Sequence, residues 1–167
     1  MLILVSLVLF SCNQKEDKPD PISWTKEKST KMNENFALQE ELDIKMFLEN
    51  RKSWKTKKTG SGLRYYIYHQ GNGEQATSGL EAEIKYKIQL LDGTLCYQTD
   101  SLETKSFKID KSDIETGVQE GIKKMRVGDK AKLIIPSHLG HGLIGDQDKI
   151  PPLTTLVIDL ELINLKK

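Results

Sequence analysis

Residues 80–90, LEAEIKYKIQL, alternate apolar and polar side chains almost without a break. Leu80, Ala82, Ile84, Tyr86, Ile88 and Leu90 fall on one side, and Glu81, Glu83, Lys85, Lys87 and Gln89 on the other. This is the two-residue period of a strand with one buried face. A one-residue slip would bury the charged set, so the pairing register of this segment is tightly constrained. Asp92-Gly93 follows and predicts a hairpin turn of type I′, in which both central residues take positive φ. The chain then returns through Thr94 to Thr99. A long half-buried strand in a hairpin requires a sheet, and something apolar to cover it.

The remaining segments say what covers it. LRYYIYHQ, residues 63–70, reads as a strand with Leu63, Tyr65 and Ile67 on one face. A short strand is expected around Phe107 to Ile109. A helix capped by Ser112 or Asp113 follows, with Val118, Ile122 and Met125 on one side. Val127-Gly128-Asp129 turns the chain into AKLIIP, and TTLVIDLELINL closes it, with Leu156, Ile158, Leu160 and Leu162 facing the core. One short helix can cover only one face of such a sheet. The expected class is therefore α+β: a curved antiparallel sheet of about five strands wrapped on one short helix, with the opposite face wet.

Upstream, residues 25–51 contain no Gly or Pro and pair Met32 with Phe36, Leu38 with Leu42 and Met46, and Ile44 with Leu48 at helical spacing. The stripe is too irregular for a long coiled coil, and a helix docked on the domain or loosely paired with a partner is expected. The basic run RKSWKTKK, residues 51–58, reads as a solvated linker. MLILVSLVLF is too short to span a bilayer but matches the apolar region of an export signal. LFSC resembles a bacterial lipobox, which implies lipidation of Cys12, and the polar NQKEDKPDPIS would be a disordered tether. The division expected is 1–11 signal peptide, 12–24 lipidated tether, 25–59 helix and linker, and 60–167 globular domain. The location expected is the cell envelope, lipid-anchored to the outer membrane and facing the periplasm or the cell surface. The 167 residues carry 25 basic against 24 acidic side chains, so nothing in the charge balance calls for a nucleic-acid partner.

Four stretches, SGLRYYIYHQGNGE, KYKIQLLDGT, GVQEGIKKMRVGDKAKLIIP and KIPPLTTLVIDLELI, resemble in this order the FKBP-type peptidyl-prolyl cis-trans isomerases, from about Ser61 to Leu165. The preceding helix and lipobox resemble more narrowly the gliding-motility-associated FKBP lipoproteins of Bacteroidetes-type bacteria. The resemblance implies a cradle for a prolyl ring, with Tyr86 and Phe107 as retained aromatics. Glu115 stands where a backbone N–H meets the ligand, and His141 where the flap loop carries a tyrosine. Ile114, Val118, Ile150 and Ile158 complete the implied contact set, with Val118 in place of a tryptophan and Ile158 in place of a phenylalanine. Cys96 and Tyr97 stand where an aromatic and an aspartate are usual. The resemblance counts both among the implied substrate contacts, with Tyr97 refilling part of the space left at Cys96, although strand alternation points the two to opposite faces.

Such an activity needs no nucleophile, metal or cofactor, and none is expected. His138 and His141 lack the further ligands of a metal site, and Asp146 and Asp148 read as loop solvation. Cys96, on a strand with no basic neighbour, reads as an inert small apolar residue. Rotation about X-Pro crosses roughly 18–20 kcal/mol because the twisted amide loses its resonance. An apolar, water-poor cradle and a preplaced donor for the carbonyl favour the twisted form. The expected function is isomerisation of proline-containing clients during folding of exported proteins, weakened by the lost aromatics and linked to gliding motility. The alternative is a catalytically weak or inactive binding or chaperone module that holds a partner in an envelope or gliding machine.

Overall fold

The computed structural model describes residues 25–167. The expected signal peptide, the lipidated Cys12 and the tether lie outside the described residues. Helix α1 runs Lys26–Glu49, with the Thr25 side chain accepting a hydrogen bond from the Lys28 N–H at its N-terminus. The strands are β1 (Lys57–Lys58), β2 (Arg64–His69), β3 (Glu81–Leu90), β4 (Leu95–Gln98), β5 (Lys105–Lys108), β6 (Lys130–Ile135) and β7 (Leu156–Lys166), and α2 spans Thr116–Ile122. They form one antiparallel sheet in the order β1-β2-β6-β7-β3-β4, with β5 pairing the start of β3. The architecture is the α+β sheet-and-helix expected, with seven strands among the described residues rather than about five. A strand of two residues, such as β1, is too short to carry a period-two signal.

Strands β3 and β7 pair along the whole of β3, from Glu81 opposite Lys166 to Leu90 opposite Leu156. The apolar set of β3 faces the main core with Ile158, Leu160 and Leu162 of β7 and Ala131, Leu133 and Ile135 of β6. Helix α2 lies against β6 at a distance only glycine allows. A Cβ on Gly117 would sit 2.4 Å from Ile135 Cγ2, and one on Gly121 2.6 Å from Leu133 Cδ1. This close approach brings Val118 and Ile122 into the core.

Three local expectations change. The hairpin closes through Leu91, Asp92 and Gly93, with Gly93 N–H donating to the Leu90 carbonyl at 3.0 Å and Leu90 N–H to the Thr94 carbonyl at 3.0 Å. Of Asp92 and Gly93, only Gly93 takes positive φ, at 92°. The loop is thus the three-residue form that ends in a left-handed glycine, and not a type I′ turn. Neither Ser112 nor Asp113 caps α2: the N-cap is Glu115, without a side-chain cap bond. Ser112 Oγ instead accepts from Lys108 N–H at 2.9 Å, and buried Gln119 bonds the Asp110 N–H and the Ser112 carbonyl. The turn before the helix is thus tied down by Gln119 from inside the core.

The second face of the sheet is not wholly wet. Ile44 and Phe47 of α1 bury Ile134 of β6 and Val157 of β7, with Leu48, Trp54 and Leu91 packed around them. Residues 51–58 are mostly solvent-exposed, but they are tied to the domain at several points. The Arg51 guanidinium lies 3.6 Å from the Phe47 ring centroid, Trp54 meets Phe47 edge-on at 5.8 Å, and Lys57 and Lys58 pair with β2. Glu41 receives the buried Arg64 at 2.6 Å and Lys58 at 3.1 Å. Only one side of α1 is used. Leu38 and Met46 point outward, 62% and 63% exposed. Phe47→Ala is expected to cost about 3 kcal/mol, the order for deleting a buried ring, whereas Leu38→Ala should leave stability nearly unchanged. Urea unfolding followed by Trp54 fluorescence measures both.

Candidate functional site

A cleft of about 390 Å³ opens on the α2 side of the sheet, lined by Ile84, Tyr86, Ile88, Tyr97, Lys105, Ser106, Phe107, Ile114, Glu115, Val118, His141, Asp146, Ile158 and Leu160. Its floor is apolar. Strands β3 and β7 supply Tyr86 and Ile158 two rungs apart on the same face, β5 supplies Phe107, and α2 supplies Val118. A wider groove of about 600 Å³ lies between α1 and the outer side of the β6–β7 connection, but it has only Phe36 as an aromatic and no close counterpart to this cradle. The smaller cleft is therefore the candidate site.

Eight of the expected residues meet here: Tyr86, Tyr97, Phe107, Ile114, Glu115, Val118, His141 and Ile158. Cys96 and Ile150 do not line the cleft. Both are buried in the main core, 3% and 2% exposed. Ile150 instead anchors the loop above, its N–H donating to Asp146 Oδ1 at 2.8 Å and its carbonyl accepting from the Asp146 N–H at 3.1 Å. The Cys96 thiol faces the Lys149 carbonyl. Burial, helped by the nearby Asp146 and Asp92 carboxylates, pushes its pKa up and disfavours the nucleophilic thiolate.

Strict strand alternation fails at Tyr97. The register between β3 and β4 shifts, with Tyr97 opposite Ile88 and Leu95 opposite Gln89, so Cys96 is the extra residue of a β-bulge. A bulge breaks strict alternation. Cys96 and Tyr97 therefore both reach the core side, one inside it and the other at the cleft wall.

What Tyr97 does there was not legible as a motif. Its hydroxyl donates to Asp146 Oδ2 at 2.5 Å, with a longer contact to Asp148 at 3.2 Å. Asp146 Oδ1 also accepts from the Asp148 N–H at 2.9 Å. Asp146 is thus no solvating loop residue but the hub of the flap, the β6–β7 connection over residues 136–155. The turn beside it demands glycine: Gly145 has φ 66°, and a Cβ there would sit 2.1 Å from the Ile150 carbonyl oxygen. Where the resemblance places an aspartate on β4, this chain carries the acid on the flap and the hydroxyl on the strand.

The rim holds the polar groups. His141 Nε2 lies 2.9 Å from Glu115 Oε1, which ties the flap to the start of α2. That nitrogen is engaged, so His141 reaches a ligand through Nδ1 or by releasing Glu115. The Glu115 carbonyl accepts from the Val118 and Gln119 N–H groups, while among the described residues its own N–H has no acceptor. The Tyr86 hydroxyl likewise makes no hydrogen bond among the described residues, although its backbone pairs with Thr99. Two donors of cleft-lining residues are thus uncommitted among the described residues. His138, by contrast, points away, its Nε2 2.9 Å from the Ser61 carbonyl.

The arrangement belongs to a recognisable class. Residues 72–163 match the family described as FKBP-type peptidyl-prolyl cis-trans isomerase, and the chain belongs to that family. It is 36% identical to the FKBP-type peptidyl-prolyl cis-trans isomerase FkpA of Buchnera aphidicola, over 84% of this chain and 53% of that protein. It is 35% identical to FkpA of Escherichia coli, over 80% of this chain and 49% of that protein. The crystal structure of Escherichia coli FkpA superposes with a TM-score of 0.68 at 32% identity, covering 83% of this chain and 64% of that one. A peptidyl-prolyl cis-trans isomerase from Pseudomonas syringae gives 0.67 at 26% identity, covering 80% and 96%. The chain spans about half the length of the curated relatives it matches.

Asp146 supplies a direct check on the flap. Burial opposes its ionisation, but the Tyr97 hydroxyl, the Asp148 and Ile150 N–H groups and the charge of His141 outweigh it and hold its pKa at about 2. A depressed carboxyl stabilises the fold above its unfolded pKa, roughly 3.9 for aspartate. That contribution is lost as the pH falls from there through about 2. Carbon-detected NMR titration is expected to find Asp146 titrating near that lower limit, and Tyr97→Phe should move the midpoint upward.

Proposed function

We propose that this chain is a peptidyl-prolyl cis-trans isomerase acting on proline-containing polypeptide clients. The observation that carries the reading is the apolar cleft between Tyr86, Phe107, Val118 and Ile158, with the Glu115 N–H uncommitted at its rim. The prolyl ring enters the cradle and the preceding carbonyl is left near the rim donors. A planar amide has little use for a new donor along the twisted direction. A twisted one, with its nitrogen pyramidal and its resonance gone, fits the water-poor floor better. Binding the twisted form more strongly than either planar form is the whole of the catalysis, and it needs no proton transfer.

Three tyrosine and phenylalanine rings, Tyr86, Tyr97 and Phe107, line the cleft, and Asp146 holds Tyr97 at its wall. Aliphatic Val118 and Ile158 keep the floor dry but give up ring stacking, worth about 0.5–1.5 kcal/mol per aromatic pair. This favours a slow catalyst, and it is also the observation behind a second reading, a binding or chaperone module without turnover. The lipobox-like LFSC supports tethering through Cys12 to the outer membrane, where exported proteins fold. The narrower tie to gliding motility, and to an envelope machine as partner, rests on the arrangement of lipobox, tether and helix. No helix among the described residues is long and apolar enough to cross a membrane.

A protease-coupled isomerisation assay with a panel of residues before proline decides between catalyst and binder. The wild type is expected to exceed the uncatalysed rate, and Phe107→Ala to lower kcat/KM about tenfold, or ~1.4 kcal/mol of transition-state binding. A rate equal to the spontaneous one for every peptide would sink the enzymatic reading. In the same assay, full activity in His141→Ala would assign the carbonyl to the Glu115 N–H and Tyr86, and leave His141 as the Glu115 latch alone.

A further inference from the structure

The geometry points to Glu40, on a helix outside the family-matched span, as a positioning residue for the flap of this site; the inference rests on the isomerase reading. One carboxylate meets both roots of the flap. Glu40 Oε1 accepts from the Ser137 N–H at 2.7 Å and from the Thr155 hydroxyl at 2.6 Å, while Oε2 lies 3.2 Å from Ser137 Oγ. Ser137 follows β6 and Thr155 precedes β7, so the bonds close the loop at its base. Both partners are buried, 7% and 3% exposed. Without Glu40 their donors would be left unsatisfied, a penalty that falls on the flap conformation.

From Ser137 the tie runs to the site. Its N–H opens a single 3-10 turn, Ser137–Leu139, and its carbonyl accepts from the Gly140 N–H at 3.0 Å and the Gly142 N–H at 2.8 Å. Those two glycines flank His141. The Gly142 carbonyl in turn accepts from the Leu153 N–H at 2.8 Å, joining the outgoing limb of the flap to the returning one. Glu40 is held in place from the other side: its neighbour Glu41 is fixed by Arg64, and Ile44 one turn on is buried against the sheet. Helix α1 thereby sets the angle at which His141 and Asp146 overhang the cleft, although α1 contributes no residue to the cleft.

The test uses amide hydrogen exchange and kcat/KM on the same full-length proteins. Glu40→Ala is expected to accelerate exchange at Gly142 and Leu153 about tenfold, equivalent to ~1.4 kcal/mol, with β3 and β7 unchanged and kcat/KM reduced. Glu40→Gln should rescue both, because its amide oxygen can accept from the Ser137 N–H and the Thr155 hydroxyl while its amide NH2 donates to Ser137 Oγ. Thr155→Val, a near-isosteric change, should loosen Leu153 selectively, and it reads the same tie if Glu40→Ala does not fold. Unchanged flap exchange, uniform acceleration through β3 and β7, a failed rescue by glutamine, or a loosened flap with undiminished kcat/KM would each overturn the proposal. If the wild type shows no catalysis above the spontaneous rate, the isomerase reading fails, while the exchange data still judge the clamp.

Discussion

The ladder between β3 and β7 is the contact on which everything else rests. The two strands are the longest in the sheet, lie far apart in sequence, and pair over the whole of β3. Every apolar residue that β3 turns inward meets one from β7 or β6, and the register decides which pairs form a floor and which form a wall. Tyr86 opposite Leu160 and Ile88 opposite Ile158 place the aromatic beside the aliphatic patch. Shifted by one residue, the same strands would present Lys85, Lys87 and Asp159 to the core, and there would be neither cradle nor domain.

Onto that ladder the chain adds two lids of different character. Helix α2 is held by close packing, since Gly117 and Gly121 let its backbone approach β6 until Val118 becomes part of the cleft. The flap is held by hydrogen bonds, with Asp146 gathering the Tyr97 hydroxyl and two backbone N–H groups, and His141 reaching Glu115. Packing fixes the floor and polar contacts fix the roof. Substitution of floor aromatics by aliphatics therefore leaves the roof intact, and the site keeps its shape while losing part of its stacking surface.

Helix α1 extends the same logic to the far side of the sheet. One side of it, through Ile44 and Phe47, packs on Ile134 and Val157 and carries the Glu41–Arg64 pair, so the sheet is covered where β6 and β7 run beneath it. The helix is more than an appendage, because the flap roots emerge from those same two strands. A helix on one face and the flap over the cleft thus share their foundations.

Much of this was legible from residue order alone. The alternation of residues 80–90, the matching run in 156–162 and the Gly-punctuated segment between them determine an α+β sheet on a helix, because burying one side of a strand admits few solutions. Period two places Tyr86, Phe107 and Ile158 on the inner face locally, and helical spacing does the same for Val118. Tertiary structure alone decided three things. A bulge at Cys96, invisible to alternation, turned Tyr97 toward the cleft. A carboxylate many residues away gave Tyr97 its partner and made Asp146 the hub of the flap. Glu40 met Ser137 and Thr155 across 97 and 115 positions of chain. Each is a set of hydrogen bonds or a register shift decided by pairing with another segment. Such contacts leave no periodic trace in the residues that make them, whereas the burial of a strand face is written into every second one.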